Sequence, residues 1–217
     1  MEACVRNVEI DKLLKACSPS RLDNLVRKIC PKYKRDNSKP SQIYEEIHNL
    51  AVSIILARLR KVGIEAEAEI ALENGVVDIR VKRGNEPVAI VEVKTGKVKL
   101  MQSAAYAYMT GRPVFVAEMR TGNVTKITPD IARLLLERYL GLLKDIKEVR
   151  DGPIIPNSAC RFCVADCEYS NGKNLRNPDP IRNLFDVLDN IDEVVEKLIE
   201  GIRAEINGNG LKKENLN

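Results

Sequence analysis

The sequence predicts an α/β fold, with one sheet and helices packed around it. Three observations carry that prediction. Apolar residues recur at helical spacing from Ser41 to Val62 and again from Val98 to Thr110. Between these stretches lie three strand-like runs, the alternating Ile64 to Leu72 and the β-branched Val76 to Val81 and Val88 to Val93, set apart by the turn signals Asn74-Gly75 and Arg83-Gly84-Asn85. After the second helix come two more strand-like runs, Pro113 to Met119 and Val124 to Ile127.

Composition bounds what such a fold can be. At 217 residues and 44% hydrophobic, the chain can bury one good core, so a single domain with appendages is expected. A net charge of +4 is too small to argue for a nucleic-acid partner by itself, and only the placement of charges can do so. Charged residues make up 30% of the chain, Trp is absent and Gln occurs only at Gln42 and Gln102, a charge-rich balance resembling that of thermophile proteins. No signal-peptide-like segment and no membrane-length apolar run occurs, so a soluble, cytoplasmic protein with no membrane partner is expected. In a reducing compartment six cysteines point to metal ligands or buried thiols more than to disulfides.

In chain order, residues 1 to 30 read as helical with a break at Ser18-Pro19-Ser20. Cys4 and Cys17 sit there without a partner motif and read as buried or partly exposed thiols. Cys30 precedes Pro31, which discourages helix continuation, and lies in the basic stretch Arg27, Lys28, Lys32, Lys34, Arg35, Lys39. The 41 to 62 helix carries His48, the only histidine. A lone helical histidine is more often a surface residue than a ligand, and His48 gains weight only if this helix packs beside the Asp78 and Glu92 strands.

In the first strand, Glu65, Glu67 and Glu69 alternate with Ala66, Ala68 and Ile70, which gives the Glu residues a solvated face. The two following strands complete an antiparallel meander. Asp78 lies in the apolar middle of one, an expensive place for a charge without a partner or metal, and Glu92 and Lys94 share a face of the next. Two carboxylates on adjacent strands with a cation beside them form a set that metal-dependent phosphodiester cleavage requires. On the following helix Gln102 and Tyr106 stand one turn apart, and Gly111 ends it.

Thr128-Pro129-Asp130 caps a helix from Ile131 to Val149. Cys160, Cys163 and Cys167 then fall within eight residues, a strong metal signal that supplies only three thiolates; Cys30, or else Cys17, is the candidate fourth. The stretch Ile181 to Ile206 is amphipathic, with Leu184, Val187, Leu188, Ile191, Val194, Val195, Leu198 and Ile202 on one stripe for the core or for another subunit. Residues 207 to 217 read as a disordered tail. No Gly-rich phosphate loop is present, so ATP dependence is not expected.

His48, Asp78, Glu92-Val93-Lys94, Gln102 and Tyr106, an early Cys30-Pro31 and a late three-cysteine cluster stand in an order that resembles RecB-like nucleases of the PD-(D/E)XK superfamily. The likeness is to the CRISPR-associated iron-sulfur exonucleases and covers roughly Leu22 to Cys167. It implies a restriction-endonuclease-like core, a mixed sheet flanked by helices, with a cysteine-ligated metal-cluster domain formed by the N- and C-terminal segments. The implied division is residues 1–40 as a helical segment with one cluster ligand, 41–150 as the nuclease core, 151–180 as the cysteine segment, and 181–217 as amphipathic helix and tail.

By the same resemblance, His48, Asp78, Glu92 and the Val93 carbonyl would hold Mg²⁺ or Mn²⁺, and Lys94 would be the catalytic lysine acting with Asp78 and Glu92. Gln102 and Tyr106 would position the substrate strand. Cys30, Cys160, Cys163 and Cys167 would hold a [4Fe-4S] cluster, with zinc as the alternative. The implied activity is a DNA exonuclease on single strands, cutting 5′ to 3′ in CRISPR spacer acquisition, with the CRISPR integrase complex as partner and a homo-oligomer formed through the C-terminal helix. The cluster Arg27, Lys28, Lys32, Lys34, Arg35, Lys39, Lys97 and Lys99 would then guide phosphates, or else be a solvated basic loop, with Tyr33 available to stack on a base. The contrasting reading is a non-catalytic iron-sulfur or zinc module that binds nucleic acid or serves as an assembly subunit.

Overall fold

The structure is a computed structural model that describes residues 2–25, 30, 32–34, 42–149, 160, 163–169 and 180–214. Helices α1 (Glu2–Ala16), α2 (Pro19–Leu25) and α3 (Gln42–Lys61) precede strands β1 (Glu65–Leu72), β2 (Gly75–Arg83) and β3 (Glu86–Lys94). Helix α4 (Leu100–Thr110), strands β4 (Val114–Glu118) and β5 (Asn123–Ile127), and helices α5 (Pro129–Val149) and α6 (Pro180–Glu214) complete the order. The protein is α/β, with a five-stranded mixed sheet in sequence order flanked by helices. Strands β1, β2 and β3 form an antiparallel meander, β4 runs parallel to β3 across α4, and β5 returns antiparallel to β4.

Apolar residues on both sheet faces give three layers. On one face Ile47, Ala51, Ile55 and Leu59 of α3 and Val187, Val194, Leu198 and Ile202 of α6 cover Ile79, Val91 and Phe115. On the other, Ile10 and Leu14 of α1, Leu22 of α2, Ala104 and Tyr106 of α4, and Leu136 of α5 cover Val77, Ile90, Val114 and Val116. Strand β3 lies at the centre with Val88 to Val93 buried without a gap, so a charge on it is desolvated from both sides.

Several boundaries differ from the sequence expectation. The break after α1 falls at Cys17 and Ser18, and Pro19 opens α2, because a first-turn proline lacks an N–H that the helix would leave unpaired anyway. The β1–β2 turn is made by Glu73 and Asn74, with Leu72 paired to Gly75. Helix α6 runs on through Glu214, past the end of the amphipathic stretch at Ile206; adding a turn to a docked helix is far cheaper than nucleating one. The α6 stripe packs on the sheet and on α3, with Leu188 its one exposed residue; Ile181 and Phe185 of the same helix are exposed beside it.

Strand β1 also departs from simple alternation. Ala66 and Ala68 face the α3/α6 layer, whereas Ile70 and Leu72 face the α1/α4 layer. Strand β2 inverts at the matching place, Ile79 and Val81 facing one layer and Val77 the other. Between the two inversions sits Glu69, whose φ of 53° is the only positive value at a non-glycine among the described residues. A left-handed residue rotates the chain about its axis, so one such position exchanges the faces of everything after it. Glu69 stands opposite Asp78 in the register that pairs Ala68 with Ile79 and Ile70 with Val77. The inversion therefore falls at Asp78.

Candidate active site

The inversion sets Asp78 between the two sheet faces, where its carboxylate meets groups from two other elements, β3 and α3. Its Oδ2 accepts the Val93 N–H at 2.7 Å, which fixes β2 to β3 across the break. Its Oδ1 lies 3.4 Å from His48 Nε2 on α3. Glu92 lies on the α4 side of β3, where its Oε1 accepts the Asp78 N–H at 3.4 Å and its Oε2 accepts from Lys94 Nζ at 2.7 Å. Lys94 Nζ also reaches Gln102 Oε1 at 3.4 Å. Gln102 Nε2 donates to the Tyr106 hydroxyl at 3.4 Å, and that hydroxyl donates to the Val76 carbonyl at 2.9 Å. His48, Asp78, Glu92, Lys94, Gln102 and Tyr106 thus form one continuous chain of contacts.

Exposure is graded along that chain. The Glu92 side chain is 1% exposed, Lys94 12%, Asp78 19% and His48 31%, so the site opens to solvent at the histidine and closes at the glutamate. Burial pushes the Glu92 carboxyl above its ordinary range against the pull of Lys94, and the Asp78 charge adds to the rise. Burial likewise raises the Tyr106 hydroxyl, opposed by the hydrogen bond from Gln102, so it stays a proton donor at neutral pH. Two carboxylates, an imidazole and a carbonyl suit a hard divalent cation in kind. The pair would gain most from one at Glu92, where charge is least solvated.

Gly75 has a role beyond the turn that the sequence suggested. Its φ is not in the left-handed region, and a Cβ there would meet the Tyr106 hydroxyl at 2.7 Å. Glycine is needed at this position for close approach of the tyrosine, not for turn conformation.

The cysteines form a second locus. Cys30, Cys160, Cys163 and Cys167 line one small cavity together with Lys32, Tyr33 and Ala165. Two turns of the same kind flank it: Tyr33 N–H donates to the Cys30 carbonyl at 3.0 Å, and Cys163 N–H to the Cys160 carbonyl at 3.1 Å. Lys34 N–H donates to Cys163 Sγ at 3.4 Å, and Val164 N–H to the Lys34 carbonyl at 3.0 Å, so segments some 130 positions apart are stitched together. An amide aimed at sulfur is the environment a thiolate favours. The four thiols fit a soft-metal site in kind and location, although among the described residues no three His, Cys, Asp or Glu side chains are drawn into a ready ligand group. Cys17 is elsewhere, against the α1/α4 layer, which removes it as the fourth ligand.

The expected phosphate guide is only partly described. Lys32, Lys34 and Lys97 are exposed and Lys99 is half-buried, while Arg27, Lys28, Arg35 and Lys39 lie outside the described residues. Tyr33 is half-buried and lines the cysteine cavity. Sequence reasoning missed Glu69, because a left-handed residue other than glycine or asparagine leaves no mark in a strand pattern. No helix of the described residues is long and apolar enough to cross a membrane. Comparison with protein-family models, with curated proteins and with solved structures finds no match.

Proposed function

We propose that the protein is a divalent-metal-dependent deoxyribonuclease with a restriction-endonuclease-like core, acting as an exonuclease on single-stranded DNA. The observation that carries this reading is the convergence of two carboxylates and a lysine from adjacent strands with a histidine and a Gln/Tyr pair from the flanking helices. Such a set has no evident structural need for a carboxylate as deeply buried as Glu92.

In this reading His48, Asp78, Glu92 and the Val93 carbonyl hold Mg²⁺ or Mn²⁺. A cation held there would supply a lowered pKa for the attacking water and charge to offset the scissile phosphate. Lys94, held between Glu92 and Gln102, stabilises the negative charge that develops on the phosphate or orients the water. Gln102, braced by the buried Tyr106, would fix the lysine's approach to the substrate strand. Cys30, Cys160, Cys163 and Cys167 would hold a [4Fe-4S] cluster, or zinc, which closes the N-terminal segment on the 160s segment. Polarity of 5′ to 3′ and a role in CRISPR spacer acquisition beside an integrase complex follow from the family resemblance.

Digestion of 5′- and 3′-labelled single-stranded and duplex DNA, with Mn²⁺, Mg²⁺ or EDTA, tests the reading. Metal-dependent cleavage lost in Asp78→Ala and in Glu92→Ala is expected, with label order reporting polarity. Tight DNA binding without cleavage by protein purified without air would transfer the function to a binding module.

A further inference from the structure

The N-terminus of α4 leaves its first backbone N–H groups without helical partners, and Lys99 at its N-cap supplies no side-chain acceptor. The acceptor comes from another helix. Asp23 of α2 takes the Met101 N–H on Oδ1 at 3.1 Å and the Gln102 N–H on Oδ2 at 2.9 Å. A two-pronged carboxylate at the positive end of a helix is a strong cap, satisfying two orphan donors and opposing the helix dipole at once. One of the two amides belongs to Gln102, whose side chain contacts both Lys94 and Tyr106.

Asp23 is itself held. The preceding residue, Leu22, is fully buried, and the Tyr139 hydroxyl of α5 donates to its carbonyl. Strand β3 connects to α4 through only 95–99, which include the exposed Gly96, so the short link alone does not fix where α4 begins. The cap is an independent constraint that sets the first turn of α4, and hence Gln102, against the end of β3.

We propose that Asp23 is a positioning residue for the active site: by capping α4 in trans it holds Gln102 against Lys94 and so sets the lysine for the phosphate. The proposal rests on the nuclease reading for its kinetic consequence but not for its structural one. Asp23 touches neither Lys94 nor the carboxylates in the described contacts, so its effect travels through Gln102.

The test compares wild type with Asp23→Ala and Asp23→Asn in single-stranded DNA cleavage and in amide hydrogen exchange. Asp23→Ala should lower kcat about tenfold with KM within about twofold, the scale of losing a good cap expressed as a barrier. Asp23→Asn keeps the side-chain volume and one acceptor oxygen but turns an NH2 donor to the other amide, so it should recover only part of the loss. In a Gln102→Ala background, Asp23→Ala should lower the rate further by less than about twofold, because both changes break the same link. Exchange at the Met101 and Gln102 amides should accelerate at both in Asp23→Ala and at only one of the two in Asp23→Asn. Unchanged exchange and unchanged kcat, or full additivity with Gln102→Ala, would overturn the assignment. Should Asp23→Ala fail to fold, Asp23→Asn carries both measurements, with faster exchange at one of the two amides and a smaller fall in kcat expected, and wild-type values for both overturning the assignment. If wild type cuts no DNA, the nuclease reading fails, and exchange, which needs neither metal nor DNA, still decides the cap.

Discussion

The residue on which the site's energetics turn is Glu92. Its folded pKa lies above the ordinary carboxylate value of 4.5, chiefly through burial. The folded state therefore prefers the protonated acid, a preference that favours folding below 4.5 and is lost as pH rises through the raised value. Ionising Glu92 is therefore a cost that Lys94 offsets only in part. A neutral isostere removes that cost, so Glu92→Gln should melt above wild type at pH 7.5 in EDTA, should melt level with it near pH 4, and should cut no DNA. Thermal unfolding at both pH values checks this, and a lower melting temperature for the variant at pH 7.5 would contradict it. Activity bought at the expense of local stability is common where a charge is held ready for a cation.

At the scale of elements, the site depends on how β1, β2 and α4 approach one another, and here the sequence was only partly legible. Glu92 and Lys94 share one strand and Gln102 and Tyr106 one helix, so period alone aligned them. The inversion at Glu69, the cap from Asp23 and the reach of Tyr106 to Val76 join separate elements, and no local pattern encodes them. Asn74-Gly75 illustrates the limit: the glycine was visible as a turn signal, yet the turn is Glu73-Asn74 and the glycine makes room for a tyrosine. Gly75→Ala should therefore disturb the site more than the hairpin. Its Cβ displaces the Tyr106 hydroxyl, which predicts a loss of about 1–3 kcal/mol in stability and a lower cleavage rate, measured by urea unfolding and by DNA digestion. A silent Gly75→Ala would mean the tyrosine moves without consequence.

At the scale of the whole molecule, α6 belongs to the core although the family resemblance stopped short of it. Val194, Val195, Leu198 and Ile202 seal the α3 face of the sheet, and Gly201 lets the helix approach Phe115 so closely that a Cβ would meet the ring at 2.6 Å. An amphipathic stripe reads the same in sequence whether its partner is a sheet or a second subunit, which is why its destination was open. The distinction is measurable. Val195→Asp places a charge in the core and should unfold the protein, by the several kcal/mol an unpaired buried charge costs, while Leu188→Asp on the exposed side should leave both melting temperature and solution mass unchanged. A change of oligomeric mass with Leu188→Asp would restore the subunit interface. The α6 helix and the stitched segments around Cys30 and Cys163 bring both ends of the chain onto one domain.

Lys94 offers the most direct test of the central claim, because it pairs with Glu92 and is not among the residues proposed to hold the cation. We would measure single-turnover cleavage of labelled single-stranded DNA with Mn²⁺ by wild type and Lys94→Ala, alongside Mn²⁺ binding by both. A fall in rate of about 10²-fold or more with Mn²⁺ binding retained is the predicted result. An unchanged rate in Lys94→Ala, or no metal-dependent cleavage by wild type, would contradict the account.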